Sequence, residues 1–209
     1  MRAAIEKICA RFGDDYWLKR DSDGNFPEEF YRALADDGWL GVCIPQAYGG
    51  SGLGVSEAAV MMQTVAASGA GLSGASAVHM NIFGLNPVAL YGTEEQKQRM
   101  LPPIAAGKEK ACFAVTEPDA GLETAKIKTR AERRGDVYTI TGAKIWISTA
   151  QVADKMLLLA RASAARPSPI ASAATRMRSG LNPWSRYSKP RPSSPIRSAA
   201  GTGNASMKS

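Results

Sequence analysis

A chain of 209 residues, 44% of them hydrophobic, is long enough to close one large or two small cores. Its formal charge of +7 at pH 7 invites a nucleic-acid reading until the charge is located. Up to Asp154 the chain carries 16 Lys/Arg and all 19 Asp/Glu, and from Lys155 onward 10 Lys/Arg and no acid, so the basicity belongs to the C-terminal stretch alone. No run of 18 apolar residues appears and acids follow too early for a secretory signal, so a soluble, cytoplasmic protein without a membrane partner is expected. Cys9, Cys43 and Cys112 are odd in number and far apart; neither a disulfide framework nor a metal site is expected.

The first hundred residues read as helices. Pro27 at a first-turn position, Glu28 and Glu29 near the positive end, Phe30 and Leu34 four apart, and Gly38 as a stop describe one amphipathic helix. Ser56 is the expected cap of a second, with Val60, Met61, Thr64 and Val65 on one stripe. A third apolar segment, "VHMNIFGLNPVALY", is interrupted by Gly84 and Pro87. In "GTEEQKQRMLPP", Thr93 and Gln96 fit a capping box, and Pro102-Pro103 is expected to force an exit.

After Lys110 the period becomes that of strands. "ACFAV" reads as a buried strand, Ile127, Thr129 and Ala131 alternate with charged neighbours, "RRGD" is a turn, and Val137 to Thr141, "AKIWIS" and "KMLLLA" follow. The order implies an α+β chain: an all-helical domain over 1–108, a partial antiparallel β domain over 109–163, and a basic Ser/Pro/Arg-rich tail over 164–209. The tail carries six of the twelve prolines. Such text buries too little apolar surface to offset ordering entropy, so disorder is expected there. Trp184 and Tyr187 lie among its arginines, but no groove or platform for bases is foreseen, so no nucleic-acid partner is expected.

Two segments carry chemistry. In "FAVTEPDAGLE" the strand breaks: Pro118 cannot donate to a ladder and Gly121 permits positive φ, which exposes Thr116 and nearby amides to a planar polar ligand. In "GAKIWIS", read as a strand, Trp146 and Ser148 share one side, as an isoalloxazine ring would require for packing and a hydrogen bond. A structural bulge and an ordinary sheet-core tryptophan remain the alternatives on the residues alone.

The stretches "WLGVCIPQAYGGSGLG", "YGTEEQKQRMLPPIAAGK", "CFAVTEPDAGLETAKIKTRA" and "GDVYTITGAKIWIS" together resemble the acyl-CoA dehydrogenase family, in its order and spacing, over roughly residues 14 to 163. The resemblance implies a helical domain, a β domain and a C-terminal helical bundle around FAD, oxidation of acyl-CoA to trans-2-enoyl-CoA, and electron-transfer flavoprotein as acceptor. It places Phe113, Val115, Thr116, Gly121, Trp146, Ile147 and Ser148 at the cofactor. Leu122 stands at a substrate-contacting position where the family commonly has serine. The helices from Val60 to Leu90, with His79 and Met80, match those bordering the acyl channel, and His79 is expected to be a packed or capping histidine. The family's proton-abstracting carboxylate lies in the bundle, and nothing after Asp154 is acidic. No catalytic residue is therefore assigned, and the expectation is an N-terminal part with a truncated, frameshifted end. A non-catalytic flavin- or partner-binding chain is the alternative, and the family's oligomer interface falls outside the matching region.

Overall fold

The computed structural model describes residues 1–135, 137–162 and 205–208. The helical part begins with α1 (Arg2–Cys9), α2 (Asp14–Asp23) and α3 (Glu28–Asp36). On α3 the i, i+1 and i+4 side chains Phe30, Tyr31 and Leu34 are fully buried, and Gly38 turns the chain away at φ +77°. Pro27 is the residue before the first helical position. Phe12, Tyr16, Trp17 and Phe30 meet edge to face with centroids 4.9–5.4 Å apart, locking α2 onto α3.

Helix α4 (Val55–Val65) is capped differently from the expectation for Ser56. Gly54 takes the cap position, and the Glu57 carboxylate reaches back to accept from its amide at 2.9 Å. The carboxylate supplies the half of a capping box that reaches back to the cap residue's amide, while Ser56, two residues beyond Gly54, lies inside the helix. A π turn (Ala66–Ala70) leads into α5 (Gly71–Phe83), followed by α6 (Asn86–Tyr91) and α7 (Glu94–Ala105). The capping box of α7 forms as expected: Gln96 N donates to Thr93 Oγ1 at 3.2 Å and Thr93 N to Gln96 Oε1 at 2.9 Å. Pro102 and Pro103 do not end this helix, which continues to Ala105. They occupy its last turn, their carbonyls still accept from Ala106 and Lys108, and only two amide donors are forgone.

Buried side chains form two clusters. One gathers Ile5, Phe30, Leu34, Met61 and Val78 from α1, α3, α4 and α5. The other gathers Ile44, Val88, Met100, Leu101 and Ile104 with Ala111, which roots the first strand in the helical part. Between them Asn81 Nδ2 donates to Tyr31 Oη at 3.1 Å and to the Ile104 carbonyl at 3.3 Å. Among the described residues no helix is long and apolar enough to cross a membrane.

The α+β class holds. Strand β1 (Ala111–Ala114), the end of the helical run and the next strands β2 (Arg130–Arg134), β3 (Val137–Thr141), β4 (Lys155–Leu158), β5 (Arg161–Ala162) and β6 (Ala205–Lys208) follow in order. β2 and β3 pair antiparallel, Arg130 opposite Thr141. Two pairings are parallel: β1 with β4, Cys112 opposite Met156, and β2 with β5. β6 lies antiparallel on β3, so the second sheet runs β5-β2-β3-β6. The rest of the tail expected to be disordered, including Trp184 and Tyr187, lies outside the described residues. Cys9, Cys43 and Cys112 are free thiols. Burial raises the pKa of each, that of Cys112 to about 11, which suits structural rather than nucleophilic thiols.

Replacing the α7 cap, Thr93→Ala, is expected to cost about 1 kcal/mol. Urea unfolding followed by far-ultraviolet circular dichroism should show a lower midpoint with an unchanged slope.

Candidate functional site

The site begins where β1 ends. Past Ala114 the chain reverses over Pro118-Asp119: Glu117 N donates to the Ala120 carbonyl at 2.9 Å and Ala120 N to that of Glu117 at 3.2 Å. Because that pair completes the reversal, Gly121 needs no left-handed conformation and does not adopt the expected positive φ. Its surroundings are open, with nothing within 4 Å of where a Cβ would sit, and Leu122 beside it is fully exposed.

Glu117 lies inside the stretch where the strand breaks, and the sequence alone assigned it no role. Its side chain is 4% exposed and holds the 8%-exposed Lys144 ammonium at 2.9 Å. The Lys128 and Thr129 amides donate to the same carboxylate at 2.5 and 2.9 Å. Lys144 also donates to the Val115 carbonyl at 2.7 Å, and Ile145 N to that of Thr116 at 3.0 Å. Burial alone would push the Glu117 carboxyl upward. Hydrogen bonds from Thr129, the Lys128 amide and Lys144 together outweigh it and bring the pKa down from 4.5 to about 2. One carboxylate thus joins three segments: the broken end of β1, the approach to β2, and the stretch after β3.

That last stretch is not a strand. Residues 142–154 form a loop, so the expected placing of Trp146 and Ser148 on one side of a pleated strand is incorrect. Alternation in "AKIWIS" suggested a ladder, but Lys144 and Ile145 spend their polar groups on Glu117, Val115 and Thr116 instead. The loop then bends sharply. Trp146 sits at φ +57° and Thr149 at φ +69°, and these are the two non-glycine residues with positive φ among the described residues. For an indole-bearing and a β-branched residue that conformation costs about 1–3 kcal/mol each, and such strain concentrates at ligand-binding positions.

Both strained residues line one cavity of about 740 Å³. Gly24, Asn25 and Ser76 form its helical side, residues 146–149 and Gln151 the other. The volume falls within the range of small-molecule sites. Of the residues assigned from the family resemblance, Trp146, Ile147 and Ser148 lie on this cavity. Val115 and Thr116 are stitched to the same loop through their carbonyls, while Phe113 stands further back on β1 and Gly121 and Leu122 project on the outer turn. Asn25, Ser76, Thr149, Gln151 and the pair Glu117–Lys144 were missed. Ser76 lies on α5 and Lys144 within the alternation read as a strand, but neither pattern marks a site, and the meeting of these residues depends on contacts between segments distant in sequence.

The residues present fit a flat aromatic cofactor. Trp146, 74% exposed, offers an uncovered indole, and the polar residues Ser76, Ser148 and Gln151 line the same space. Comparison with known proteins agrees. The family description "Acyl-CoA dehydrogenase, N-terminal domain" matches residues 1–108, and "Acyl-CoA dehydrogenase, middle domain" matches residues 112–180. The chain belongs to the acyl-CoA dehydrogenase family, whose cofactor is FAD.

Among its relatives, acyl-CoA dehydrogenase FadE12 of Mycobacterium tuberculosis is 36% identical over 166 residues, 79% of this chain and 42% of that protein. Benzylmalonyl-CoA dehydrogenase of Aromatoleum aromaticum is 34% identical over 163 residues, 76% of this chain and 43% of that protein. The crystal structure of glutaryl-CoA dehydrogenase from Mycobacterium smegmatis superposes with a TM-score of 0.70 at 30% identity, over 77% of this chain and 41% of that one. The chain therefore spans about two fifths of the length of these relatives.

Lys144→Met leaves the Glu117 carboxylate buried without its cation and is expected to destabilise the fold by about 3–5 kcal/mol in chemical denaturation. The folded pKa of Glu117 is depressed, so its contribution is present above about 4.5 and is lost as pH falls toward about 2. An acid titration of stability should lose part of its slope in that window in Glu117→Gln.

Proposed function

We propose that this chain is the flavin-holding part of an FAD-dependent acyl-CoA dehydrogenase, acting on acyl-CoA thioesters with electron-transfer flavoprotein as acceptor. The single observation that carries the reading is the coincidence of strain and cavity: Trp146 and Thr149, both left-handed, line the same space. FAD, when bound, supplies a two-electron acceptor for oxidation of the acyl Cα–Cβ bond. Trp146 offers the ring a packing face, Ser148 a hydroxyl, and Ile147 an apolar rim. Phe113, Val115 and Thr116 form the adjoining strand end, Gly121 leaves open space for close approach, and Leu122 meets the substrate on the outer turn. Residues 1–108 form the helical domain and 109–163 part of the β domain.

A second reading is favoured for the 209 residues by themselves: flavin binding without turnover. Abstraction of the α-proton needs a positioned general base, which the family resemblance makes a carboxylate. Glu117 is locked in its ion pair, the cavity is lined by no acid, and no acidic residue follows Asp154. Catalytic residues are accordingly assigned to none of these side chains. A cytoplasmic location, expected from the sequence alone, and an oligomeric assembly, implied by the family though its interface falls outside the matching region, belong to the same proposal.

Equilibrium dialysis of the chain against FAD tests the reading. Saturable uptake at one site per chain is expected, with quenching of tryptophan emission. Trp146→Ala should weaken uptake about tenfold, through lost ring contact and area. Absence of saturable uptake, or an unaltered dissociation constant in the variant, would refute the assignment.

A further inference from the structure

We propose that the outward stripe of α5, formed by Ser76, His79 and Phe83 and continued by Phe113 on β1, reads an aromatic ring in the acyl group of the thioester. The inference rests on the acyl-CoA reading above and names its substrate class. Positions 76, 79 and 83 recur at helical spacing and so share one face of α5. Ala75, Ala77, Val78 and Met80 are turned inward and buried, while Leu72 and Ser73 in the first turn are exposed away from the stripe's aromatic end. The stripe itself stays open: Ser76 and His79 are half-buried and Phe83 is 42% exposed.

The stripe begins at the cavity, because Ser76 is one of its lining residues. It ends against the strand that leads to Thr116. The His79 ring lies 5.2 Å from that of Phe83, and Phe83 meets Phe113 edge-on at 6.3 Å and 84°. A molecule seated on Trp146 with an arm along α5 passes these rings in turn.

Three features favour an aromatic arm. First, His79 Nδ1 lies 2.6 Å from the Ser76 carbonyl, which can only accept. Nδ1 is therefore the donor in that contact, which holds the ring in place, and in the neutral imidazole the other nitrogen, Nε2, is the acceptor. Second, a saturated chain laid over Nε2 and the Ser76 hydroxyl would desolvate them without giving a partner, whereas the C–H edge of an aromatic ring carries partial positive charge toward them. Third, α5 contains no Lys, Arg, Asp or Glu, so it offers no cation to a dicarboxylic acyl group. The rings of Phe83 and Phe113, already in edge-to-face contact, supply the geometry in which a third ring gains beyond its buried area.

Isothermal titration of the FAD-loaded chain with 3-phenylpropionyl-CoA, octanoyl-CoA and free CoA tests this. The phenyl thioester is expected to bind about fivefold tighter than the octanoyl one, and Phe83→Leu to bring that ratio close to one while leaving FAD affinity unchanged. Octanoyl-CoA binding equally or more tightly, or a ratio that survives Phe83→Leu, overturns the aromatic assignment while leaving the acyl-CoA reading intact. If FAD binds but neither thioester exceeds free CoA, the acyl-CoA reading itself fails, and the stripe's role falls with it.

Discussion

The Glu117–Lys144 pair is the constraint on which the site depends. Two opposite charges, both nearly excluded from water, are tolerated only when their remaining hydrogen-bonding capacity is met, and here two backbone amides and a backbone carbonyl meet it. The partners belong to three segments that secondary structure would not otherwise join. With Lys144 anchored, Ile145 is held against Thr116, and the following residues must turn within a short distance. The left-handed backbone at Trp146 and Thr149 follows from that tether, and it leaves the indole facing outward rather than into the core.

This arrangement divides labour between the two halves of the chain. The helical part closes two apolar clusters and provides one rigid wall of the cavity through Asn25 and Ser76. The β part supplies the polar and aromatic wall, on a loop whose shape is set by electrostatics rather than by a ladder. Ala111, packed in the second apolar cluster at the root of β1, couples the two. Family membership explains why a strand should break at Thr116; the ion pair explains physically how the break is held open.

Much of the fold was legible because it rests on local periodicity. The buried Phe30 and Leu34, the Thr93–Gln96 box, the change from helix to strand after Lys110 and the β2–β3 hairpin all follow from neighbours within a few positions. The failures share one cause. Alternation in "AKIWIS" mimicked a strand, and Pro102-Pro103 mimicked a helix end, because propensity is silent about tertiary partners. Glu117 drew no assignment for the same reason: its lysine lies 27 positions away and no pattern links them. The family resemblance singled out residues 146–148, which line the cavity, but the helical wall at Ser76 and the strain at Thr149 became visible only with the chain folded.

The most direct measurement is the FAD dissociation constant of Lys144→Met compared with the unaltered chain, at a temperature where circular dichroism shows both to be folded. Lys144 is not on the cavity, so it can influence the cofactor only by holding the loop. A dissociation constant raised at least about tenfold is expected if the buried pair sets the loop's shape. An unchanged constant in the folded variant would contradict the central place given to that ion pair.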